Sequence, residues 1–233
     1  MMRGPYSEYA APPIYVYPDR PKPGVHFSRT ELGQLAVAIL ALSAAFTILY
    51  VRSNPVRFAE DPAFFLAIFF PASLLAVGTG VGLHEIMHKV VAQRYGLWAE
   101  FRYNLRGLVF AFIFAVAIGF LYGAPGATWI SGAVTKEQNG RISAAGPVSN
   151  LVIAAALFAG FLAMMPRASS FGGALVVLYL SQAASVNAFL AGFNMIPVMP
   201  LDGAKVWAWN KAVYLGIVAI ALGLIYVSVF RPY

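Results

Sequence analysis

The feature that most constrains the fold of this chain is a series of long stretches without a charged side chain. Residues 62–83 are uncharged over 22 positions, residues 108–130 over 23, and residues 169–201 over 33. About 20 consecutive apolar residues are enough for a helix to cross the hydrocarbon core of a bilayer. Charged residues make up only 11% of the chain and the mean hydropathy is +0.72. Since a soluble domain carries about 25% charged residues, the sequence predicts an integral membrane protein.

Shorter apolar stretches at residues 35–51, 148–165 and 212–230 bring the expected number of transmembrane helices to five or six. The predicted fold class is therefore an all-α polytopic membrane protein. The ambiguous segment is residues 108–130, because glycines and a proline crowd its second half. It either crosses the membrane or forms a re-entrant element between the second span and the following helix.

Composition also predicts the domain organisation. Residues 1–30 hold six prolines among aromatic and charged residues, which is typical of an extended cytoplasmic tail. Residues 31–233 are expected to form a single membrane-embedded domain. The formal net charge of +7 does not indicate nucleic-acid binding, because the lysines and arginines stand at the ends of apolar stretches. The chain has no cysteine, so a metal site must use histidine, aspartate or glutamate.

A metal-binding motif, His84-Glu85-Ile86-Met87-His88, follows the first uncharged stretch. Histidines four residues apart share one helix face and can bind one ion, and the glutamate between them can act as general base on a bound water. Placing an ionisable side chain at membrane depth costs free energy, and a bound divalent cation would offset that cost. We predict that His84 and His88 are metal ligands and Glu85 the catalytic base. The alternative is a pair of histidines that only form hydrogen bonds.

The third ligand of the metal has to come from elsewhere in the chain, since a catalytic zinc usually takes three protein ligands and leaves one position for water. The chain has three aspartates, and Asp202 is the one that ends a long uncharged stretch, behind Pro197 and Pro200. These prolines are expected to break the helix and to leave Asp202 on unwound backbone beside a polar cavity. From the residues alone, a turn position before Gly203 is the better interpretation of Asp202.

Two further motifs follow in the chain, Gly146-Pro-x-x-Asn150 and Asn194-x-x-Pro-x-x-Pro-Leu-Asp202-Gly. Together with the His-Glu-x-x-His motif, and in this order, they resemble the site-2 protease family of intramembrane zinc metalloproteases, peptidase family M50. The resemblance covers roughly residues 62–210. Met195 is a modest departure, because the family pattern usually has proline directly after this asparagine.

The resemblance implies a zinc metalloendopeptidase that hydrolyses peptide bonds within or next to transmembrane segments of membrane proteins, as in regulated intramembrane proteolysis. It implies one zinc ion per chain and a pair of polar active-site residues that hold the substrate. The residues so implied are His84, His88 and Asp202 for zinc, Glu85 for activation of water, and Asn150 and Asn194 for substrate binding.

Other functions stay open at this point. A metal-binding or metal-transporting membrane protein would use the same three ligands without hydrolysis, and a catalytically silent scaffold would keep the fold alone. A zinc protease with glutamate as third ligand is disfavoured, because Glu100 and Glu137 lack the apolar setting of Asp202. The expected partners are the lipid bilayer and a transmembrane substrate protein, with no nucleic acid, and the oligomeric state is unknown.

The distribution of positive charge predicts the topology. If residues 108–130 re-enter, there are five spans, and the 16 lysines and arginines divide 12 inside to four outside; with a sixth span they divide ten to six. The positive-inside rule favours five spans, with the N-terminus and the active site on the cytoplasmic side of the cell membrane. We interpret Trp98–Tyr103 as an interfacial loop; the alternative is a strand that pairs with substrate.

Overall fold

Long apolar helices make up most of the described chain. The computed structural model describes residues 24–119, 121 and 125–229, so the predicted tail lies outside it as far as residue 23. Within these described residues, five helical segments are long and apolar enough to cross a membrane, which confirms the predicted all-α polytopic fold class. These segments are Arg29–Ser53, Pro62–Arg94, Lys136–Arg167, Phe171–Asn194 and Lys211–Ser228.

The first two spans are joined by a short connection that is itself partly helical. Helix α1 (Arg29–Ser53) begins at Ser28, whose hydroxyl accepts a hydrogen bond from an amide of the first turn. Helix α2 (Pro55–Glu60) occupies most of the connection. Helix α3 (Pro62–Val77) begins with proline, which suits a first helical position because no amide donor is needed there, and Asp61 caps it.

The second span changes its helical winding close to the predicted metal motif. Helix α3 passes through a π-helical turn, Gly78–Gly82, into helix α4 (Leu83–Arg94). A side chain at Gly80 would displace its neighbour, since a Cβ there would lie 2.8 Å from Cδ1 of Leu190. Gly80 therefore lets a neighbouring span approach the helix just before the metal motif begins.

After α4, two paired strands flank a short apolar helix. Strand β1 (Trp98–Tyr103) pairs antiparallel with strand β2 (Gly126–Ser131). Between them lies helix α5 (Leu105–Ala117), whose 13 residues are too few to span a membrane. The amide of Asn104 donates to the carbonyl of Pro125 at 2.8 Å, so the two ends of the excursion meet. Where the structure describes residues 108–130, they form a helix too short to span a membrane and a strand that returns to β1, a re-entrant arrangement and not a sixth span.

The interpretation of residues 98–103 as an interfacial loop is wrong, because they form strand β1. Ala99 and Phe101 are buried, whereas Trp98 and Tyr103 are exposed, so the side chains alternate as in a strand with one face covered. The partner strand lies beyond helix α5, and this pairing therefore has no signal in the local sequence.

The third and fourth spans form an antiparallel pair. Helix α6 (Lys136–Met164) begins at a capping box formed by Thr135 and Gln138, well before the apolar stretch predicted from residue 148. A short 3₁₀ turn (Met165–Arg167) leads towards helix α7 (Phe171–Asn194). The reciprocal side-chain caps explain why a polar segment starts the helix.

After α7 the chain is irregular from residue 195 to residue 201, as its prolines predict. Helix α8 (Asp202–Trp209) and the last span, helix α9 (Lys211–Val229), follow. Asp202 is thus the first residue of a short helix, directly after the unwound backbone. Met195 and Val206 are buried in one apolar cluster with residues of α6, α7 and α9, and this packing fixes the position of Asp202.

Candidate metal centre

Helix α4 brings the two predicted histidine ligands together on one buried face. His84 and His88 are 5% and 7% exposed, and their rings meet edge to face with centroids 4.6 Å apart. The Nε2 atoms of the two rings lie 2.9 Å from each other. Two such nitrogens facing one point can bind a common ion.

Asp202 completes this cluster from the far side of the sequence. Its Oδ2 atom lies 3.3 Å from Nε2 of His84 and 3.1 Å from Nε2 of His88. Zinc bonds of about 2.0–2.2 Å place two ligands of a tetrahedral ion about 3.3–3.6 Å apart. The three ligand atoms therefore need to separate by only a few tenths of an ångström to hold a zinc ion, and the donor set of two imidazoles and a carboxylate suits it.

The ring of His88 is held in the tautomer that metal binding requires. Its Nδ1 atom lies 2.7 Å from the carbonyl oxygen of Ile142 on α6. A carbonyl only accepts, so Nδ1 carries the proton and Nε2 presents its lone pair to the ion. In His84 the Nδ1 atom is buried without a hydrogen-bond partner in the described part of the chain.

Helix α6 leaves room for the metal through a glycine. A Cβ on Gly146 would lie 2.5 Å from Nε2 of His84 and equally close to Nε2 of His88. Since real Cβ atoms do not approach so closely, only glycine fits against the ligand atoms. This contact gives a physical reason for the glycine of the second motif.

The electrostatic surroundings keep Asp202 ionised. Burial alone would raise the pKa of its carboxyl, but when the imidazoles of His88 and His84 are protonated, as they can be without a metal, their charge outweighs burial and holds that pKa well below its usual range. The second oxygen, Oδ1, lies 3.7 Å from Nζ of Lys205. One carboxylate oxygen thus faces the histidines while the other faces a cation.

Glu85 lies beside the histidines, with ligand atoms of all three residues within 4.8 Å of one another. Its Oε2 atom accepts hydrogen bonds from Thr128 of β2, at 2.8 Å from the amide nitrogen and 2.9 Å from the hydroxyl. Thr128 lies in none of the three sequence motifs. It carries no metal-ligand or catalytic pattern, and its contact with Glu85 spans 43 residues.

The two asparagines of the later motifs are placed differently. Asn150, fully buried on α6, lies one turn beyond Gly146, and neither atom of its amide has a hydrogen-bond partner within the described residues. Asn194 ends α7, where its Nδ2 donates to the carbonyl of Leu190 at 3.0 Å. The structure thus brings the three candidate ligands into contact with Glu85 beside them, whereas no hydrogen bond among the described residues joins either asparagine to them.

Comparison with known proteins finds relatives that are named as zinc metalloproteases. The chain is 36% identical over 189 residues to the "Putative zinc metalloprotease MJ0611" of Methanocaldococcus jannaschii, a match that covers 81% of this chain and 88% of that protein. It is 32% identical over 149 residues to the "Putative zinc metalloprotease Rip3" of Mycobacterium tuberculosis, covering 62% of this chain and 31% of that protein. No protein-family model and no solved structure matches the chain.

Proposed function

The chain belongs to the zinc metalloprotease family of its Methanocaldococcus relative, and from this premise we propose that it is an intramembrane zinc metalloendopeptidase of the site-2 protease type. It hydrolyses peptide bonds within or next to transmembrane segments of other membrane proteins. The observation that carries the proposal is the contact of Asp202 with both histidines, beside Glu85, in a chain whose described part holds five apolar helices long enough to span a membrane.

His84, His88 and Asp202 are the proposed zinc ligands. Zinc bound there supplies a Lewis acid for the scissile carbonyl and lowers the pKa of a water molecule to about 7. Glu85 takes the proton of the attacking water and passes it to the leaving amine. Ile142 and Gly146 of α6 orient and accommodate the two imidazoles, so the ligand atoms converge without a large rearrangement.

The substrate has to unwind near the cut, because a helix hides its carbonyls in its own hydrogen bonds. An extended segment can then pair with the edge of a sheet. Side chains of α1 and α4 already occupy the outer edge of β1, which leaves β2 as the proposed pairing strand, apart from its Thr128 amide, which donates to Glu85. The backbone amide of Phe101 donates to the side chain of Glu31 at 2.9 Å, and that of Tyr103 donates to the side chain of Gln34 at 3.2 Å. The side-chain amide of Gln93 donates to the backbone carbonyl of Ala99 at 3.2 Å.

Asn150 and Asn194 are the proposed polar residues that hold the substrate. Support comes from the free amide of Asn150, since a buried amide without a partner is costly and gains from a ligand or a water. Asn194 ends the last helical turn before the irregular segment, where its amide is half-buried.

The test uses purified protein and a model transmembrane substrate in detergent. Cleavage should be lost with a zinc chelator and restored by added zinc. Glu85→Gln should reduce turnover by at least about a hundredfold, because general base catalysis contributes 10²–10⁴-fold, while bound zinc stays at the unmodified level. Asp202→Ala should lose the zinc itself.

The same variants separate a protease from a metal carrier. Cleavage that survives both Glu85→Gln and the chelator would come from another protease and would refute the proposal. Zinc uptake into proteoliposomes that Glu85→Gln leaves unchanged, with no cleavage by the unmodified protein, would favour metal transport through the same three ligands.

A further inference from the structure

The carboxylate of Glu85 is held by one residue of the re-entrant segment. Thr128 donates to Oε2 of Glu85 from its amide at 2.8 Å and from its hydroxyl at 2.9 Å. The hydroxyl also lies 3.0 Å from the backbone carbonyl oxygen of Glu85. Because a hydroxyl has a single proton, it donates to one of these acceptors at a time. The amide, and the hydroxyl when it donates to the carboxylate, both reach Oε2, and neither contact involves Oε1.

The amide of Thr128 is available because of the register of the sheet. Thr128 is opposite Phe101 in the antiparallel pair of strands. The Phe101 amide donates outward to Glu31 at 2.9 Å, just as the Thr128 amide donates outward to Glu85. The two residues are thus a non-hydrogen-bonded pair, whose N–H groups point away from the partner strand. The pairing of the two strands therefore fixes the direction of the Thr128 amide, although this amide donates no hydrogen bond to β1.

A second set of contacts fixes the sheet relative to helix α4. Glu31, which accepts the Phe101 amide, forms a buried ion pair with Lys89, the residue directly after His88. The helix of the metal motif is therefore tied to β1 through Glu31 and to β2 through Thr128. These contacts hold the sheet against α4 and so keep Thr128 next to Glu85.

Proton transfer needs a carboxylate of defined orientation, and a glutamate side chain has several rotatable bonds that would otherwise spread it over many positions. We propose that Thr128 is a positioning residue that holds Oε2 of Glu85 so that Oε1 faces the metal site. This inference rests on the proposed function for its effect on turnover. It makes the re-entrant β2 strand part of the catalytic arrangement in addition to its proposed pairing with substrate.

The test compares Thr128→Val, which removes the hydroxyl and keeps the shape, with Thr128→Ser, which keeps the hydroxyl. Thr128→Val should lower kcat about tenfold, a part of the contribution of the base, with KM changed less than about twofold and zinc content unchanged. Thr128→Ser should recover at least half of kcat. The matched control is Thr30→Val, the same substitution at an exposed position at the start of α1. Wild-type kcat in Thr128→Val, or a Thr128→Ser variant as slow as Thr128→Val, would overturn the inference.

A measurement without turnover keeps this inference separate from the proposed function. A small hydroxamate chelates zinc and presents a proton to the carboxylate beside the metal, so its affinity reports the placement of Glu85. Thr128→Val should weaken hydroxamate binding severalfold, as should Glu85→Gln, whereas Thr128→Ser and Thr30→Val should not. If the unmodified protein cleaves no substrate but shows this pattern, the proposed function fails and the role of Thr128 stands. Equal binding by the unmodified protein and Thr128→Val would refute the role of Thr128 by itself.

Discussion

At Gly146 the absence of a single methyl group leaves room for the proposed metal ligands. A Cβ there would lie 2.5 Å from the Nε2 atoms of both His84 and His88. The imidazoles cannot withdraw freely, because the ring of His88 is hydrogen-bonded to Ile142 on the same helix as Gly146. An alanine at this position therefore has to displace either a ligand or helix α6.

We expect Gly146→Ala to lose most of its bound zinc and all measurable cleavage. Gly160→Ala is the control: it lies on the same helix, and its Cβ would be no nearer than 3.5 Å to another side chain, an ordinary contact. Zinc content of the purified variants, measured by elemental analysis, checks this. One equivalent of zinc in Gly146→Ala would show that the glycine is not needed for the site.

At the scale of elements, the ion pair between Glu31 and Lys89 joins three parts of the fold. Both side chains are 1% exposed; Glu31 also accepts the Phe101 amide of β1, and Lys89 lies 4.1 Å from the ring centre of Phe27. Two buried charges compensate each other, but either one left alone remains buried and unpaired. The pair therefore holds α1, α4 and β1 in one arrangement.

Breaking the pair from one side should destabilise the protein strongly. Lys89→Met or Glu31→Leu alone is expected to cost about 3–5 kcal/mol, and the double variant should recover most of that loss. The exposed pair of Glu137 and Arg141, with side chains 60% and 52% exposed, is the control. Glu137→Gln should cost less than about 1 kcal/mol. Thermal denaturation in detergent ranks the variants by stability. A single variant as stable as the double variant would contradict this role of the ion pair.

The elements themselves could be predicted from the sequence to different degrees. The spans follow from apolar length, which is a local property, and the break after α7 follows from its prolines. Strand β1 was misread because its hydrogen-bond partner lies beyond α5, and the start of α6 was missed because a capping box, rather than apolarity, begins the helix. Pairing and capping depend on contacts that composition does not express.

At the scale of the whole molecule, the re-entrant segment brings both halves of the proposed metal site to one side of the bundle. With five spans, the end of α4 and the start of α8 lie on the same side, as the contact of His88 with Asp202 requires. The excess of lysine and arginine in the connections on that side favours the cytoplasm. The orientation in the cell membrane is therefore a proposal that rests on charge.

Cysteine labelling can test this orientation without background, because the chain has no cysteine. Single cysteines at Ala133 and Ala208, both exposed, should react with a membrane-impermeant maleimide only after the inner face is opened. Cysteines at Val56 and Ser169, also exposed, should react in intact cells. Labelling of Ala133 and Ala208 positions from outside would reverse the proposed topology.

The sequence by itself determined the membrane class, the approximate spans and the pairing of His84 with His88, since these depend on stretches or spacings within one helix. It also pointed to Asp202 through family resemblance, more than a hundred residues beyond His88. Only the tertiary structure decided that Asp202 contacts both histidines, that strand β2 returns to pair with β1, and that Thr128 contacts Glu85. Such contacts depend on how helices pack against one another, and a local sequence pattern contains no information about packing between distant segments.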